Sequence, residues 1–297
     1  MIIDGQETLT AAVLQVMGQT RDPRLREIMV SLAKHLHGFV REVRLTEAEF
    51  REAAAIINEM GKLASDTHNE SILMAGSLGV SSLVCLLNNG DNGATETSQN
   101  LLGPFWRMHS PRVENGGSIV RLPTPGPDLF VTFTVIDCER RPVAGAEVDI
   151  WHSSPVGLYE QQDPDQADMN LRGKFTTDAD GRIWFRTVKP AGYPIPTDGV
   201  VGRLLRAQDR HPYRPAHVHA LVFKHEFKTL TSQVYADDDP RLATDVQFGV
   251  TRALTDKFVW HDAPHPSDAT VAAPWYTLDH TFVLEPGEAK LPKQPIK

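Results

Sequence analysis

Cysteine is nearly absent from this chain of 297 residues, which has only Cys85 and Cys138. Each lies in an apolar stretch far from the other, so buried free thiols in a reducing cytoplasm are expected rather than a disulfide framework. Basic clusters are missing too, and a net charge of −8 argues against a nucleic-acid partner, whose phosphates call for a basic face. The longest apolar run, near SSLVCLLNN, is far too short to span a membrane. The opening MIIDGQETLT has no basic stretch followed by an apolar core, so no secretory signal is expected. What remains is an ordinary globular composition, 41% hydrophobic and 23% charged, long enough for a full core in one or two domains.

Two halves differ in periodicity. In the first, DPRLREIMVSLAKHLHGFVREV places Leu25, Ile28, Met29, Leu32, Leu36, Phe39, Val40 and Val43 at spacings of three and four, the mark of an amphipathic helix. TEAEFREAAAIINEMGKLA follows, with Thr46 and Glu49 spaced as a capping box and Phe50, Ala53, Ile57, Met60 and Leu63 on one face. ESILMAGSLGVSSLVCLLNN makes a third segment, closed by the breaker-rich NNGDNGATETSQN. From about residue 101 the pattern alternates instead, in LFVTFTVID, GAEVDIWH, GRIWFRTV, AHVHALVF, LTSQVYA and HTFVLEP. Loops rich in Pro, Gly and Asp join these stretches, mostly without helices of crossover length, which favours an antiparallel sandwich over a parallel α/β sheet. The expected fold class is α+β: helices over residues 1–100, then a β-sandwich over 101–297.

Inside one alternating run, RPAHVHALVF, stand two histidines one residue apart. Side chains on a strand alternate, so His217 and His219 share a face while Ala216, Val218 and Ala220 take the other. Their backbones are about 7 Å apart at ~3.3 Å rise per residue, close enough for both imidazoles to reach one metal ion. Of five tyrosines, two sit in loops directly after strands. Tyr159 follows GAEVDIWH, Tyr193 follows GRIWFRTV, and each comes within two residues of a glycine that permits a sharp turn. A loop tyrosine taken alone is ordinarily a packing residue. With two neutral imidazoles beside them, two phenols read as ligands for a Lewis acid strong enough to remove their protons. Ferric iron fits such a set better than zinc, whose structural sites favour Cys and His.

GAEVDIWHSSPVGLY, KPAGYPIPTDG, RPAHVH and LTSQVYADDDP resemble the intradiol ring-cleavage dioxygenases, and within them the hydroxyquinol and catechol 1,2-dioxygenases. The four motifs stand in the family's order and spacing, and the match runs from the third helical segment to about residue 250. The resemblance implies Fe(3+) held by Tyr159, Tyr193, His217 and His219 in a sandwich catalytic domain. It also implies a homodimer joined through N-terminal helices that enclose a phospholipid in relatives. The implied reaction adds both atoms of O2 to an aromatic 1,2-diol and opens the ring between the hydroxylated carbons. By the same resemblance Tyr193 yields its place to the diol and takes up a proton. Arg214 stabilises the electron-rich ring carbon, and Gln233 hydrogen-bonds beside the substrate. Asp149 and His152, flanking the strand before Tyr159, are read as either orienting groups or packing.

The pocket wall implied by resemblance comprises Leu101, Leu102, Gly103 and Phe105 of LLGPFW, Leu73 of the third segment, and Ile195 and Pro196 of YPIP. One departure bears on the substrate. Hydroxyquinol enzymes commonly read Leu-Leu-Ser-Asp where this chain reads Leu73-Met74-Ala75-Gly76, so a carboxylate that could accept from a third ring hydroxyl is missing. Gly76 is also expected to leave room for a bulkier substituted catechol. The expectation is a hydroxyquinol dioxygenase forming maleylacetate, with a catechol or substituted-catechol enzyme giving cis,cis-muconates as the alternative. A reading from another class, a non-catalytic metal-binding sandwich, stands against the completeness of the ligand, arginine and glutamine set. An extradiol enzyme, with two His and one carboxylate on Fe(II), has no use for two tyrosines.

Overall fold

Helices form where the spacing of three and four predicts them, with one addition and one break. The computed structural model describes residues 2–65, 68–88 and 96–293. The chain divides into two units, residues 1–59 and 60–297. The addition is α1 (Gln6–Met17). Helix α2 (Pro23–Glu42) begins where Asp22 accepts the Leu25 N–H at 2.6 Å and Pro23 occupies the first turn. Helix α3 (Glu47–Leu63) starts at the expected capping box: the Thr46 N–H donates to Glu49 Oε2 at 2.8 Å, and the Glu49 N–H to Thr46 Oγ1 at 3.3 Å. No residue of α2 or α3 is fully buried.

The break falls in the third segment. It forms two helices, α4 (Glu70–Ser77) and α5 (Val80–Asn88), whose axes turn by 77°. Gly79, with φ 73°, takes the left-handed conformation the corner requires. Periodicity misses this corner because the apolar residues on its two sides continue the same spacing. The breaker stretch at 89–95 lies outside the described residues. Among them, no single helix is long and apolar enough to cross a membrane.

The second unit also holds the strands: β1 (Asp128–Asp137), β2 (Glu147–His152), β3 (Arg172–Thr176), β4 (Arg182–Val188), the two-residue β5 (Tyr193–Pro194), helix α6 (Val200–Ala207), β6 (Tyr213–Arg214), β7 (His217–Phe223), β8 (Leu230–Ala236), β9 (Thr255–Asp256), β10 (Val259–His261) and β11 (Trp275–Leu284). One sheet runs β10-β11-β1-β4, the other β3-β2-β7-β8-β9, and β5 pairs with β6 alone. Most pairs are antiparallel as expected, but β1 with β11 and β8 with β9 are parallel. Strands β1 and β11 are distant in sequence, so their parallel pairing needs no single crossover helix. The core lies between the sheets: Leu129, Val131, Phe133 and Phe282 of one meet Val148, Ile150, Val218 and Val234 of the other. Cys85 and Cys138 are both free, but Cys138 is exposed rather than buried. It follows the end of β1, where the core-facing pattern stops.

Candidate metal centre

Because one face of the five-stranded sheet is committed to the core, the alternate residues of β2, β7 and β8 point outward. Register aligns them. Trp151 stands opposite both Arg172 and His219, His219 is also paired with Gln233, and His217 is paired with Tyr235. Loops close over this row. The Leu101–Trp106 stretch crosses it at Gly103, where a β-carbon would lie 3.2 Å from His219 Cε1, and φ is 72°. Tyr159 arrives on the loop after β2. Tyr193 arrives on β5, opposite Arg214.

Four donor atoms converge there. His217 Nε2 and His219 Nε2 are 3.1 Å apart, Tyr193 Oη lies 3.5 Å from His217 Nε2, and Tyr159 Oη lies 3.4 Å from Tyr193 Oη. All four side chains are at most 6% exposed. Bonds of about 2.1 Å at angles between octahedral and tetrahedral would put adjacent donors about 3.0–3.4 Å apart, so these spacings suit a small ion. The His217 tautomer is fixed: Nδ1 donates to the Pro215 carbonyl at 2.7 Å, leaving the Nε2 lone pair aimed into the cluster. Burial, then Arg214, pushes the His217 pKa down to about 3, and burial with His217 puts His219 well below its ordinary value. Both imidazoles are therefore neutral. Burial raises both phenols, so in this pocket only an added positive charge makes them phenolates. Among the described residues no group of three or more His, Cys, Asp and Glu is placed to hold a metal, which leaves no carboxylate for the extradiol ligand pattern.

Aromatic packing holds these rings. Trp151 stacks on His219 at 4.6 Å and 10°, and Phe105 on Tyr159 at 4.2 Å. Behind Tyr159, the buried Arg172 grips Glu160 through two bonds of 2.6 and 2.8 Å and donates to the Phe105 carbonyl at 2.6 Å. One guanidinium thus ties down both the Tyr159 loop and the ring stacked on it.

Arg214 is 3% exposed. It donates to Tyr235 Oη at 2.6 Å and Gln233 Oε1 at 3.1 Å, and pairs with Asp245 at 3.3 Å. Burial alone would raise the Asp245 carboxyl, but Arg214 outweighs it and holds the carboxyl below its ordinary value. Gln233 has its oxygen occupied by Arg214 and Tyr235, and its Nε2 donates to the Leu101 carbonyl at 2.6 Å.

The remaining candidates separate. Leu102 and Phe105 pack against the Tyr159–Tyr193 cluster, while Leu73 packs with Ile195. Pro196 is exposed. Asp149 accepts from Trp106 Nε1 at 3.1 Å, and His152 bonds the Ser153 carbonyl and Thr187 Oγ1, each at 2.8 Å; neither reaches the four donors. Gly76 does not leave open room, because Gln247 fills it: a β-carbon there would meet Gln247 Cδ at 2.9 Å. Sequence reasoning missed Tyr235 and Asp245. Tyr235 follows Gln233 by two residues on an alternating strand, a signal that was readable; Asp245 sits in a loop without periodicity.

Sandwich, helical segment and outward-facing Tyr and His row define an oxygenase class, and the comparisons agree. Residues 103–282 match the family described as Dioxygenase, and residues 22–95 match the catechol dioxygenase N terminus. The chain belongs to the intradiol ring-cleavage dioxygenases. It is 41% identical to a hydroxyquinol 1,2-dioxygenase of Rhizobium sp., covering 94% of this chain and 95% of that protein. A catechol 1,2-dioxygenase of Candida albicans is 37% identical over 82% of this chain and 81% of its own length. The crystal structure of hydroxyquinol 1,2-dioxygenase from Pseudomonas putida DLL-E4 superposes with a TM-score of 0.87 at 34% identity, covering 95% of this chain and 99% of that one.

Proposed function

We propose that this enzyme uses ferric iron and O2 to open hydroxyquinol, benzene-1,2,4-triol, between its adjacent hydroxylated carbons, forming maleylacetate. The observation that carries the reading is the convergence of two neutral imidazole Nε2 atoms and two buried phenols within 3.1–3.5 Å. Tyr159, Tyr193, His217 and His219 would hold the iron, which supplies Lewis acidity toward oxygen donors and a redox partner between diol and O2. Tyr193 Oη, on the short β5, is the base at hand for a diol proton. Arg214, held by Asp245, Tyr235 and Gln233, keeps a fixed cation where negative charge builds on the ring. Leu102, Phe105 and Trp106 keep bulk water from the reacting ring.

Steady-state kinetics of the iron-loaded enzyme on hydroxyquinol, catechol and chloro- and methylcatechols test this. Hydroxyquinol should give the highest kcat/KM. Preference for catechol, with a cis,cis-muconate product, would favour the second reading, which the missing carboxylate at Gly76 supports. Half-exposed Leu25, Leu32, Leu36, Phe39 and Phe50 support a homodimer joined within residues 1–100, with a phospholipid enclosed there, and the two free cysteines support a cytoplasmic setting. Light scattering showing a monomer, or lipid-free extracts of the purified protein, would reject the corresponding part.

A further inference from the structure

Gln247, whose side chain fills the space at Gly76, is anchored through its backbone from two sides. Its N–H donates to Asp245 Oδ1 at 3.3 Å, and its carbonyl accepts from Ser82 Oγ of α5 at 2.9 Å. The side chain lies over Gly76, where a β-carbon would stand 2.9 Å from both Cδ and Oε1 and 3.1 Å from Nε2. Three atoms of the amide are that close, so any larger residue at position 76 would displace it. Next to Gln247, the Phe248 ring stands where a β-carbon on Gly79 would lie 3.5 Å from its Cδ2, seating this segment in the corner between α4 and α5. The amide is half-buried and has no hydrogen-bond partner among the described residues.

Its neighbours place it beside the diol site. Asp245, which holds the Gln247 N–H, is the carboxylate that pairs with Arg214. Val246 packs in one apolar cluster with Ile195, two residues past Tyr193, and with Leu73. Leu73 and Gly76 are three residues apart on α4 and so share a face. That face therefore carries an apolar wall and, one turn on at Gly76, lies against the half-buried amide of Gln247.

We propose that Gln247 is a specificity-determining residue: its amide hydrogen-bonds a third hydroxyl on the ring, beyond the reacting pair. This rests on the diol-cleaving function proposed above. An amide both donates and accepts without bringing a charge, so it recognises a neutral hydroxyl where an acid at position 76 would have offered only acceptors. Catechol, lacking that hydroxyl, gains nothing from the contact.

The test compares hydroxyquinol with catechol in the iron-loaded wild type, in Gln247→Leu, which keeps the bulk, and in Gly76→Ala, which keeps the amide but pushes it aside. Both kcat/KM and the dissociation constant from anaerobic titration are measured for each diol. In both variants the hydroxyquinol-to-catechol ratio should fall about three- to tenfold, the worth of one hydrogen bond, carried mainly by KM and matched in the anaerobic titration. Equal losses on the two diols would mean that Gln247 serves only to support Asp245 and Arg214, and an unchanged ratio would mean no contact; either overturns the inference. A wild type that cleaves neither diol would instead overturn the proposed function.

Discussion

The two faces of β7 share every backbone hydrogen bond, yet one residue of offset separates packing from chemistry. On the inner face Val218, Ala220 and Val222 complete the core between the sheets; on the outer face His217 and His219 turn their Nε2 atoms toward two phenols. Every residue of the strand from His217 to Val222 is buried, on either face, so burial alone does not mark the functional one. What distinguishes the outer face is that buried polar atoms, two Nε2 atoms and two phenol oxygens, gather around one another with spacings of 3.1–3.5 Å. Polar atoms buried in that way are costly unless something binds them.

The largest contrast should come from His217→Ala. Removing one lone pair on the outer face should abolish iron content and ring cleavage, measured by metal analysis of the purified variant, while the fold persists. Arg214→Ala comes next. If the cation acts on charge that appears only as O2 reacts, kcat should fall about 10²–10³, the range for losing one preorganised donor. In single-turnover experiments the diol should bind normally without O2 and react slowly once it is added; normal decay would remove the catalytic role.

Val218→Ala tests the opposite face between the same two histidines. It should lower unfolding free energy by about 2 kcal/mol, from lost transfer energy and a small cavity, with iron retained in the folded protein; denaturant titration and metal analysis together decide it. The smallest effect concerns Asp149. Burial, only partly offset by Lys174, raises its pKa from 3.8 to about 6. Between those values the folded chain binds a proton the unfolded chain does not, so this residue's contribution to stability falls as pH rises through the window. Asp149→Asn should therefore gain on the wild type between pH 4 and pH 7, on the order of 1 kcal/mol, as read from denaturant midpoints at each pH.

Legibility followed the same division. Period-two spacing announced the shared face of His217 and His219, and strand-end glycines announced the turns that deliver Tyr159 and Tyr193. Long-range packing stayed hidden. Nothing local at Gly76 says that Gln247, 171 positions on, occupies its space, and nothing before Asp245 marks it as the partner of Arg214. The corner at Gly79 was hidden for the opposite reason, since apolar spacing runs straight through it. The parallel pairing of β1 with β11 joins the two ends of the strand-bearing region, a relation no local pattern encodes.

Visible absorption of the iron-loaded protein tests the central claim most directly, because a phenolate bound to ferric iron produces a broad visible charge-transfer band that imidazole ligands alone do not. The wild type should be purple-red with about one iron per chain, as one cluster of four donors requires, and Tyr159→Phe/Tyr193→Phe should lose the band. A colourless wild type that holds zinc, or a double variant that keeps the colour, would contradict the account.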